Sequence, residues 1–318
     1  MRTRVRTTWL GLGVCLAIVV AGCGDASGGS TEGAGSSGAS SSSAGTSGEA
    51  PTSSSSSSST SGGATGSSGE GDGSSSGGVA LEEFSFFLTS LQSMQALSGS
   101  QLGFGGDLRF GEAGPGAGLR GADKICATIA EMSMPGSAAK QWRAFLSVAA
   151  DEGGAQVDAI DRIGEGPWFD RLGRLVAMTR ADLLHDRPLG ADPAIVNDLP
   201  NEWGVPNRRP DPNLPEQDNH HVLTGSDAQG VLFGANATCL DWTSAMGDRD
   251  LEGRPRVGLA FPRPGAMDSM GINWISGLIE SGCAPGVTLV PTPPPGPDVV
   301  DVGSGGGYGG IYCFALTP

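Results

Sequence analysis

Two adjacent histidines could transfer a proton or bind a metal ion. His220 and His221 closely follow Asp218, and imidazole rings beside a carboxylate can act as metal ligands or as an acid and base pair. The alternative is a pair that precedes a strand, with one ring packed and the other in solvent. We retain both histidines as candidate ligand-binding residues.

A short acidic segment is the second candidate for ion binding. Asp248, Asp250 and Glu252 alternate before Gly253, as in part of a calcium loop, but the distal glutamate of an EF-hand is missing. A solvated acidic loop explains the same pattern. We therefore predict no metal site, while calcium binding at Asp248 and Asp250 stays open.

Recognisable catalytic motifs are absent from the sequence. It has no G-x-S-x-G or H-E-x-x-H motif and no phosphate-binding loop. We expect no catalytic residue and no cofactor. If the chain is an enzyme, its catalytic residues lie outside these known motifs.

The first 22 residues have the three regions of a secretory signal. Three arginines precede an apolar run from Leu10 to Val20, which is shorter than the roughly 20 residues of a membrane-spanning helix. The run ends in Val20-Ala21-Gly22-Cys23, which resembles the lipobox of bacterial lipoproteins, so we expect cleavage before Cys23 and lipidation of its sulfur. The alternative is an ordinary cleaved signal with an accidental cysteine.

Residues 23–78 contain the lipidated cysteine and a linker. Gly, Ser, Ala and Thr fill residues 24–78, so no apolar burial offsets the entropy of ordering the backbone, and we expect disorder. A flexible coil of this length has a root-mean-square span of roughly 40 Å. Glycosylation of its serines and threonines stays open.

The remaining region, residues 79–318, is predicted to be one acidic domain. The chain has 19 Lys and Arg and 34 Asp and Glu; three arginines precede residue 23 and five acids lie in residues 24–78, which leaves 16 basic and 29 acidic residues and a net charge of −13. A field of that sign repels phosphate backbones, so we expect no nucleic-acid partner.

Four cysteines in this exported region indicate two disulfides. Cys126, Cys239, Cys283 and Cys313 are an even number, which allows three pairings. Zinc is the competing explanation. It is disfavoured because the four include no C-x-x-C pair and no histidine stands at zinc-finger spacing.

The domain is predicted to mix helix with short strands. Apolar residues recur at helical spacing from Leu119 to Ile129, which places Cys126 on the buried face. The predicted strands are Phe84 to Thr89, Trp142 to Val148, Val222 to Leu223, Leu259 to Phe261 and Ile311 to Ala315. The predicted loops are Arg187 to His221, Pro291 to Pro297 and the glycine-rich turn Gly303 to Gly310.

Several blocks of the sequence are similar to a known domain. They are Gly118 to Cys126, Trp142 to Ser147, Leu223 to Gly230, Cys239 to Thr243 and Ile311 to Phe314. In order and spacing these blocks resemble endostatin, the C-terminal domain of the multiplexin collagens. With Arg162-Ile163-Gly164 and Gly166-Pro167-Trp168 added, they also resemble a group of bacterial lipoprotein domains.

The resemblance implies an α+β architecture, the C-type lectin-like fold, with a curled antiparallel sheet, two helices and long loops. It also implies nested disulfides, Cys126 with Cys313 and Cys239 with Cys283. The Glu-Pro-Asn, Gln-Pro-Asp and Trp-Asn-Asp triplets of calcium-dependent lectins are absent, so we do not expect calcium-dependent sugar chelation. Endostatin's zinc and heparin binding are not carried over, because the chain has only three histidines and the domain is acidic.

Trp203 is the tryptophan that we expect to meet a ligand. Trp168, Trp242 and Trp274 lie inside the similar blocks, where core packing is usual, whereas Trp203 lies in the proline-rich loop. An indole ring exposed there could stack on a sugar or pack against a protein.

These observations lead to an expected function. We predict a monomeric lipoprotein of the bacterial cell envelope, lipid-anchored to the outer membrane or the cell surface. Its domain would act as a binding or adhesion module for a protein or glycan ligand. An envelope-modifying enzyme and a purely structural envelope component are the alternatives.

Overall fold

The computed structural model describes residues 82–208, 219–263, 265–289 and 298–317. They belong to one of the two units into which the chain divides, Ser74–Pro318. The predicted signal, Cys23, the linker and the loop Pro291 to Pro297 lie outside the described residues, as do residues 209–218. Within the described ranges, no helix combines the length and the apolar character needed to cross a membrane.

The described part of the chain combines short strands with few helices, which is the predicted α+β class. The strands are β1 (Phe86–Leu88), β2 (Trp142–Ala144), β3 (Trp168–Phe169), β4 (Leu175–Ala177), β5 (His221–Leu223), β6 (Arg256–Leu259), β7 (Leu278–Ile279) and β8 (Gly307–Ala315). The α-helices are α1 (Leu91–Ser98), α2 (Ala117–Ser133), α3 (Ala159–Arg162), α4 (Arg180–Leu183), α5 (Arg249–Glu252) and α6 (Ser269–Ile272). Two 3₁₀ turns cover Ser137–Lys140 and Ala235–Ala237, and Cys239–Trp242 forms a left-handed turn.

Strand β8 is central to the main sheet. It pairs antiparallel with β1 and β2 and parallel with β5, and antiparallel pairs then lead from β5 to β6 and β7. All nine residues of β8 are buried, because both faces of the strand are covered. β3 and β4 form a separate two-stranded sheet.

Alternate residues of β8 enter two different hydrophobic clusters. Ile311 and Cys313 lie in the cluster that contains the buried face of α2, whereas Tyr312 and Phe314 lie in the cluster around Trp274. The helical periodicity predicted from Leu119 is confirmed, since the apolar residues of that stripe are buried within α2. The strand therefore joins the two halves of the core.

Two glycines let α2 pack directly on neighbouring backbone. A Cβ atom at Gly118 would lie 2.0 Å from the carbonyl oxygen of Asp241, and one at Gly121 would lie 2.1 Å from that of Arg109. Glycine is a poor helix former, so its presence twice near the start of this helix reflects the close approach rather than helix propensity.

The left-handed turn is an unusual backbone conformation. All four residues of Cys239–Trp242 have positive φ, from 51° to 63°, which costs roughly 1–2 kcal/mol per residue. The carboxylate of Asp241 accepts a hydrogen bond from the backbone N–H of Ala149 at 2.7 Å. The buried indole of the last residue donates to the carbonyl of Ser147 at 2.9 Å. These long-range contacts hold the strained turn in place.

The start of β8 corrects the prediction of a glycine-rich turn from Gly303 to Gly310. The strand begins at Gly307, inside that run. A Cβ atom at Gly307 would lie 2.9 Å from the backbone oxygen of His221, and one at Gly310 would lie 3.0 Å from the ring of Tyr308. Both glycines pair with β5, and their neighbours leave no room for side chains at these positions of the strand.

Other strands also differ from the prediction at their ends. β1 covers only Phe86–Leu88 of the expected Phe84 to Thr89. β2 stops at Ala144, although residues to Val148 were expected. The strand expected at Leu259 to Phe261 shares only its first residue with β6, which begins at Arg256. In the long loop, residues 187–208 contain no helix or strand, as predicted, and β5 begins at His221.

Candidate binding site

Four five-residue turns among the described residues share one backbone design. An Asp or Asn at the first position accepts hydrogen bonds, through its side chain, from the N–H groups of the third and fifth residues. The fourth residue is a glycine with positive φ, and its N–H donates to the first carbonyl. These turns begin at Asp151, Asp170, Asn201 and Asp227. The third residue stands at the tip of each turn.

Two of these turns present apolar side chains next to each other. Leu172 and Trp203 occupy the third positions and are 64% and 47% exposed, and Val205, which ends the second turn, is 41% exposed. A Cβ atom at Gly204 would lie 2.5 Å from the Cγ of Leu172, so the leucine packs against the backbone between the other two residues. We call Leu172, Trp203 and Val205 the apolar patch.

Arg174 of the first turn holds the second turn through a hydrogen bond to its backbone. Arg174 donates from Nε and Nη2 to Oδ2 of Asp170, at 2.7 and 2.5 Å, and its Nη2 also donates to the carbonyl of Gly204 at 2.6 Å. The aspartate side chain is fully buried. Two charge-assisted hydrogen bonds to one buried carboxylate oxygen fix the guanidinium group, and its bond to Gly204 then holds the two turns in their relative position.

The residue before Trp203 anchors its turn to two helices. The buried carboxylate of Glu202 accepts hydrogen bonds from the N–H of Ser90 at 2.9 Å, from its Oγ at 2.6 Å and from the Oγ of Ser93 at the start of α1. Its backbone carbonyl accepts from the Oγ of Ser133 in α2 at 2.5 Å. Trp203 is therefore exposed on a fixed backbone.

Glu202 also influences a buried tyrosine. Burial raises the pKa of Tyr308 well above its ordinary value, and the negative charge of Glu202 adds to that rise. The phenol stays protonated and donates a hydrogen bond to the carbonyl of Thr89 at 2.5 Å. Glu202 and Tyr308 are thus each hydrogen-bonded in the interior.

The structure places both candidate histidines in the interior. His220 and His221 are each 3% exposed, and their ring centroids are 4.4 Å apart in an edge-to-face arrangement. Nδ1 of His221 hydrogen-bonds with Oε1 of Glu280, whose Oε2 accepts from the Oγ of Ser304 at 3.0 Å. The expectation of one solvent-exposed ring is wrong, because β5 and its neighbours cover both. Asp218 lies outside the described residues.

The acidic segment does not bring its carboxylates together. Asp248 caps α5 by accepting from the N–H groups of Asp250 and Leu251 at 3.1 and 3.2 Å. Glu252 is buried and accepts from the Oγ of Ser244 at 2.7 Å. Among the described residues, no three or more His, Cys, Asp or Glu side chains are grouped to hold a metal ion. Asp248 and Glu252 thus have separate structural contacts.

The other tryptophans confirm the expected core role. Trp168, Trp242 and Trp274 are at most 1% exposed. The indole N–H of Trp274 donates to the carbonyl of Leu183 at 2.8 Å. Of the tryptophans in the described ranges, Trp203 is the exposed one.

The four cysteines of the domain lie in two pairs at disulfide distance. The S–S distance is 1.98 Å between Cys126 and Cys313 and 2.06 Å between Cys239 and Cys283. This is the nested pairing that the resemblance implies. The first pair joins α2 to β8, and the second joins the left-handed turn to the segment after β7.

Sequence analysis missed Leu172 and Val205. The signal that could have found the patch is the spacing in Asp170-Arg171-Leu172-Gly173 and Asn201-Glu202-Trp203-Gly204. Asp or Asn followed by glycine three residues later is typical of tight turns. An apolar residue in the third position of such a turn is directed towards solvent.

Comparison with known proteins assigns the chain to no family. No family model matches the chain, and no curated protein matches it.

Proposed function

We propose that the chain is a lipid-anchored protein of the bacterial cell envelope whose C-type lectin-like domain is a binding or adhesion module for a protein or glycan ligand. The lectin-like fold is supported by the α+β architecture and by the nested cysteine pairs. The anchor is supported by the lipobox-like segment that ends at Cys23. Calcium chelation is not part of the proposal, because the lectin triplets are absent.

The observation that carries the proposal is the apolar patch. Single exposed apolar residues are ordinary, but here an indole and two aliphatic side chains stand on two turns that pack against each other and are fixed by hydrogen bonds. Tryptophan is enriched among residues that dominate binding energy. Because the turn is already ordered, little conformational entropy is lost when a ligand covers Trp203.

The test compares ligand binding by the full-length chain and by two variants, Trp203→Ala and Leu172→Ala. Cell-envelope extracts and a glycan array supply the ligands, and dissociation constants are then measured for each ligand found. We expect each variant to weaken binding by about tenfold or more, since hot-spot residues contribute about 2 kcal/mol or more. Met267→Ala is the matched control, because Met267 is 96% exposed and lies outside the patch.

Two results would count against the proposal. Saturable binding that is unchanged in Trp203→Ala would remove the patch from the function. No saturable ligand in either assay would contradict the binding function itself. A ligand that depends on Trp203 supports it, and the assay that finds this ligand decides between a protein and a glycan.

A further inference from the structure

An open cavity lies near β7, at one edge of the main sheet. The cavity has a volume of about 430 Å³, which is within the usual range for small-molecule sites. Its lining includes Phe233, Arg249, Arg254 and Ile279 together with residues 234–237. The apolar patch adjoins β1 at the opposite edge of the same sheet, so the two sites are separate.

The cavity is lined by arginines and by no carboxylate. Nε of Arg254 donates to the carbonyl oxygen of Glu280 at 2.8 Å. Nε of Arg249 is buried and has no hydrogen-bond partner among the described residues. Neither guanidinium forms an ion pair within the described part of the chain. This is unexpected for a domain with nearly twice as many acidic as basic residues, and it leaves the lining of the cavity with two positive charges and no negative one.

A third arginine lies over an aromatic ring at the cavity wall. Cζ of Arg256 is 4.5 Å from the ring centroid of Phe233, and that ring is 46% exposed. Arg256 donates from Nε to the Oγ of Ser276 at 2.8 Å, which fixes its plane. Burial lowers the pKa of Arg256, so an anion that came close would compensate for lost solvation.

The backbone around the cavity is fixed before any ligand arrives. Gly253 has a positive φ, and a Cβ atom there would lie 2.1 Å from the carbonyl oxygen of Asn236. The same carbonyl accepts from the N–H of Arg254 at 2.8 Å. The sulfur of Cys283 lies 3.7 Å from the carbonyl oxygen of Gly253, so the second cysteine pair adjoins this frame. The backbone of the cavity therefore loses little entropy on binding.

We propose that this cavity binds a sugar ring that carries a carboxylate, as a uronic acid unit does. The planar guanidinium groups match the two oxygens of a carboxylate, and Phe233 and Ile279 offer apolar surface to the C–H face of a ring. The carboxylate of a uronic acid is bonded directly to the ring, so one ligand can meet both the guanidinium groups and the apolar residues of the lining. A sulfate or phosphate ester holds its charge farther from the ring. The site does not depend on the function proposed for the apolar patch.

The test is calorimetric titration of the full-length chain with trigalacturonate. Its methyl ester, which removes only the charge, is the neutral probe, and a sulfated trisaccharide without carboxylates is the probe for simple charge attraction. We expect saturable binding of trigalacturonate alone, weakened by about tenfold or more, which is about 1.4 kcal/mol, in Arg249→Gln, Arg254→Gln and Phe233→Ala. Arg263→Gln is the control, since it removes the same charge from an exposed residue outside the cavity.

Three outcomes would overturn the assignment: no saturable binding of trigalacturonate, equal binding of the methyl ester, or stronger binding of the sulfated probe. Equal binding by the unaltered chain and the double variant R249Q/R254Q would also overturn it. Thermal unfolding verifies that each variant is folded, and Phe233→Ala keeps the test decisive if Arg254→Gln does not fold. Trp203→Ala should bind trigalacturonate normally, which separates this site from the apolar patch.

Discussion

Trp203 keeps its position because the neighbouring residue, Glu202, has a buried carboxylate that is held by hydrogen bonds rather than by an ion pair. Three donors from Ser90 and Ser93 satisfy the carboxylate, and no ion pair with it is found in the described ranges. A buried carboxylate that loses such partners costs several kcal/mol. Moving the turn would break these hydrogen bonds at a large cost in free energy, so the backbone that carries the exposed indole stays in one position.

Asp198 gives the molecule a pH dependence that can be measured. Burial raises the pKa of this carboxyl to about 6, and the hydrogen bond from the N–H of Arg208, at 3.0 Å, together with the charges of Arg208 and Arg187 offsets only part of the rise. In the unfolded chain the pKa is about 3.9. The native state thus holds the proton more tightly, so stability falls as pH rises from about 4 to about 6 and then levels off.

Asp198→Asn should remove this contribution, because the amide oxygen can still accept the hydrogen bond from Arg208 but carries no charge. We expect the variant to gain stability over the unaltered chain as pH rises from 4 to 7, by at most about 3 kcal/mol. Urea denaturation at unit pH intervals measures the difference. Asp161→Asn, at a side chain that is 72% exposed, should show almost none. A difference between Asp198→Asn and the unaltered chain that does not vary with pH would contradict the assignment.

Among the helices and strands, sequence patterns predicted the features that depend on residues close together in the chain. The apolar stripe of α2 is visible in the sequence because the helix buries one face. α1 was not predicted, although Ser90 at its N-cap and Gly99 at its C-cap are recognisable capping residues. The boundaries of β6 and β8 could not be read locally, because they depend on pairing with distant strands.

The candidate sites also include features that nearby residues determine and features that depend on distant residues. The exposure of Trp203 follows from a turn encoded within five residues. The buried His221 is hydrogen-bonded to Glu280, which is 59 residues away in the sequence. No residue near the histidine indicates that contact, so it could not be predicted. The arginines of the cavity are close in sequence, but their lack of carboxylate partners is a property of the folded chain.

The close packing of helix α2 against the left-handed turn can be tested at Gly118. Glycine to alanine in a helix normally stabilises a protein by about 1 kcal/mol. At Gly118 the new Cβ would lie 2.0 Å from the carbonyl oxygen of Asp241, so the helix or the left-handed turn must move, and we expect Gly118→Ala to lower the free energy of unfolding by about 1–3 kcal/mol. Chemical denaturation followed by tryptophan fluorescence measures the loss.

The matched control for Gly118→Ala is Lys124→Ala on the exposed side of the same helix. Its ammonium group is 3.4 Å from Glu112 in a solvent-exposed pair, and such pairs contribute little. We expect a change within about 0.5 kcal/mol. If Gly118→Ala were stabilising, the close packing of α2 against the left-handed turn would not exist in solution.

For the domain as a whole, the two cysteine pairs close loops of very different length. Cys126 and Cys313 are 187 residues apart, and Cys239 and Cys283 are 44 apart. The longer loop includes most of the domain and joins the buried helix to the central strand. The shorter loop restrains the strained left-handed turn and the frame of the arginine cavity.

On the chain-entropy model, the longer loop contributes about 5 kcal/mol and the shorter about 4 kcal/mol. Replacing Cys126 and Cys313 with alanine should therefore lower the free energy of unfolding at least as much as replacing Cys239 and Cys283. The second pair has a local role as well, so its removal should also weaken trigalacturonate binding, whereas a chain that stays folded without the first pair should bind normally. Peptide mass mapping of the unaltered chain should recover both nested linkages. Free thiols or crossed linkages there would refute the architecture, because β8 and α2 could not then be joined as described.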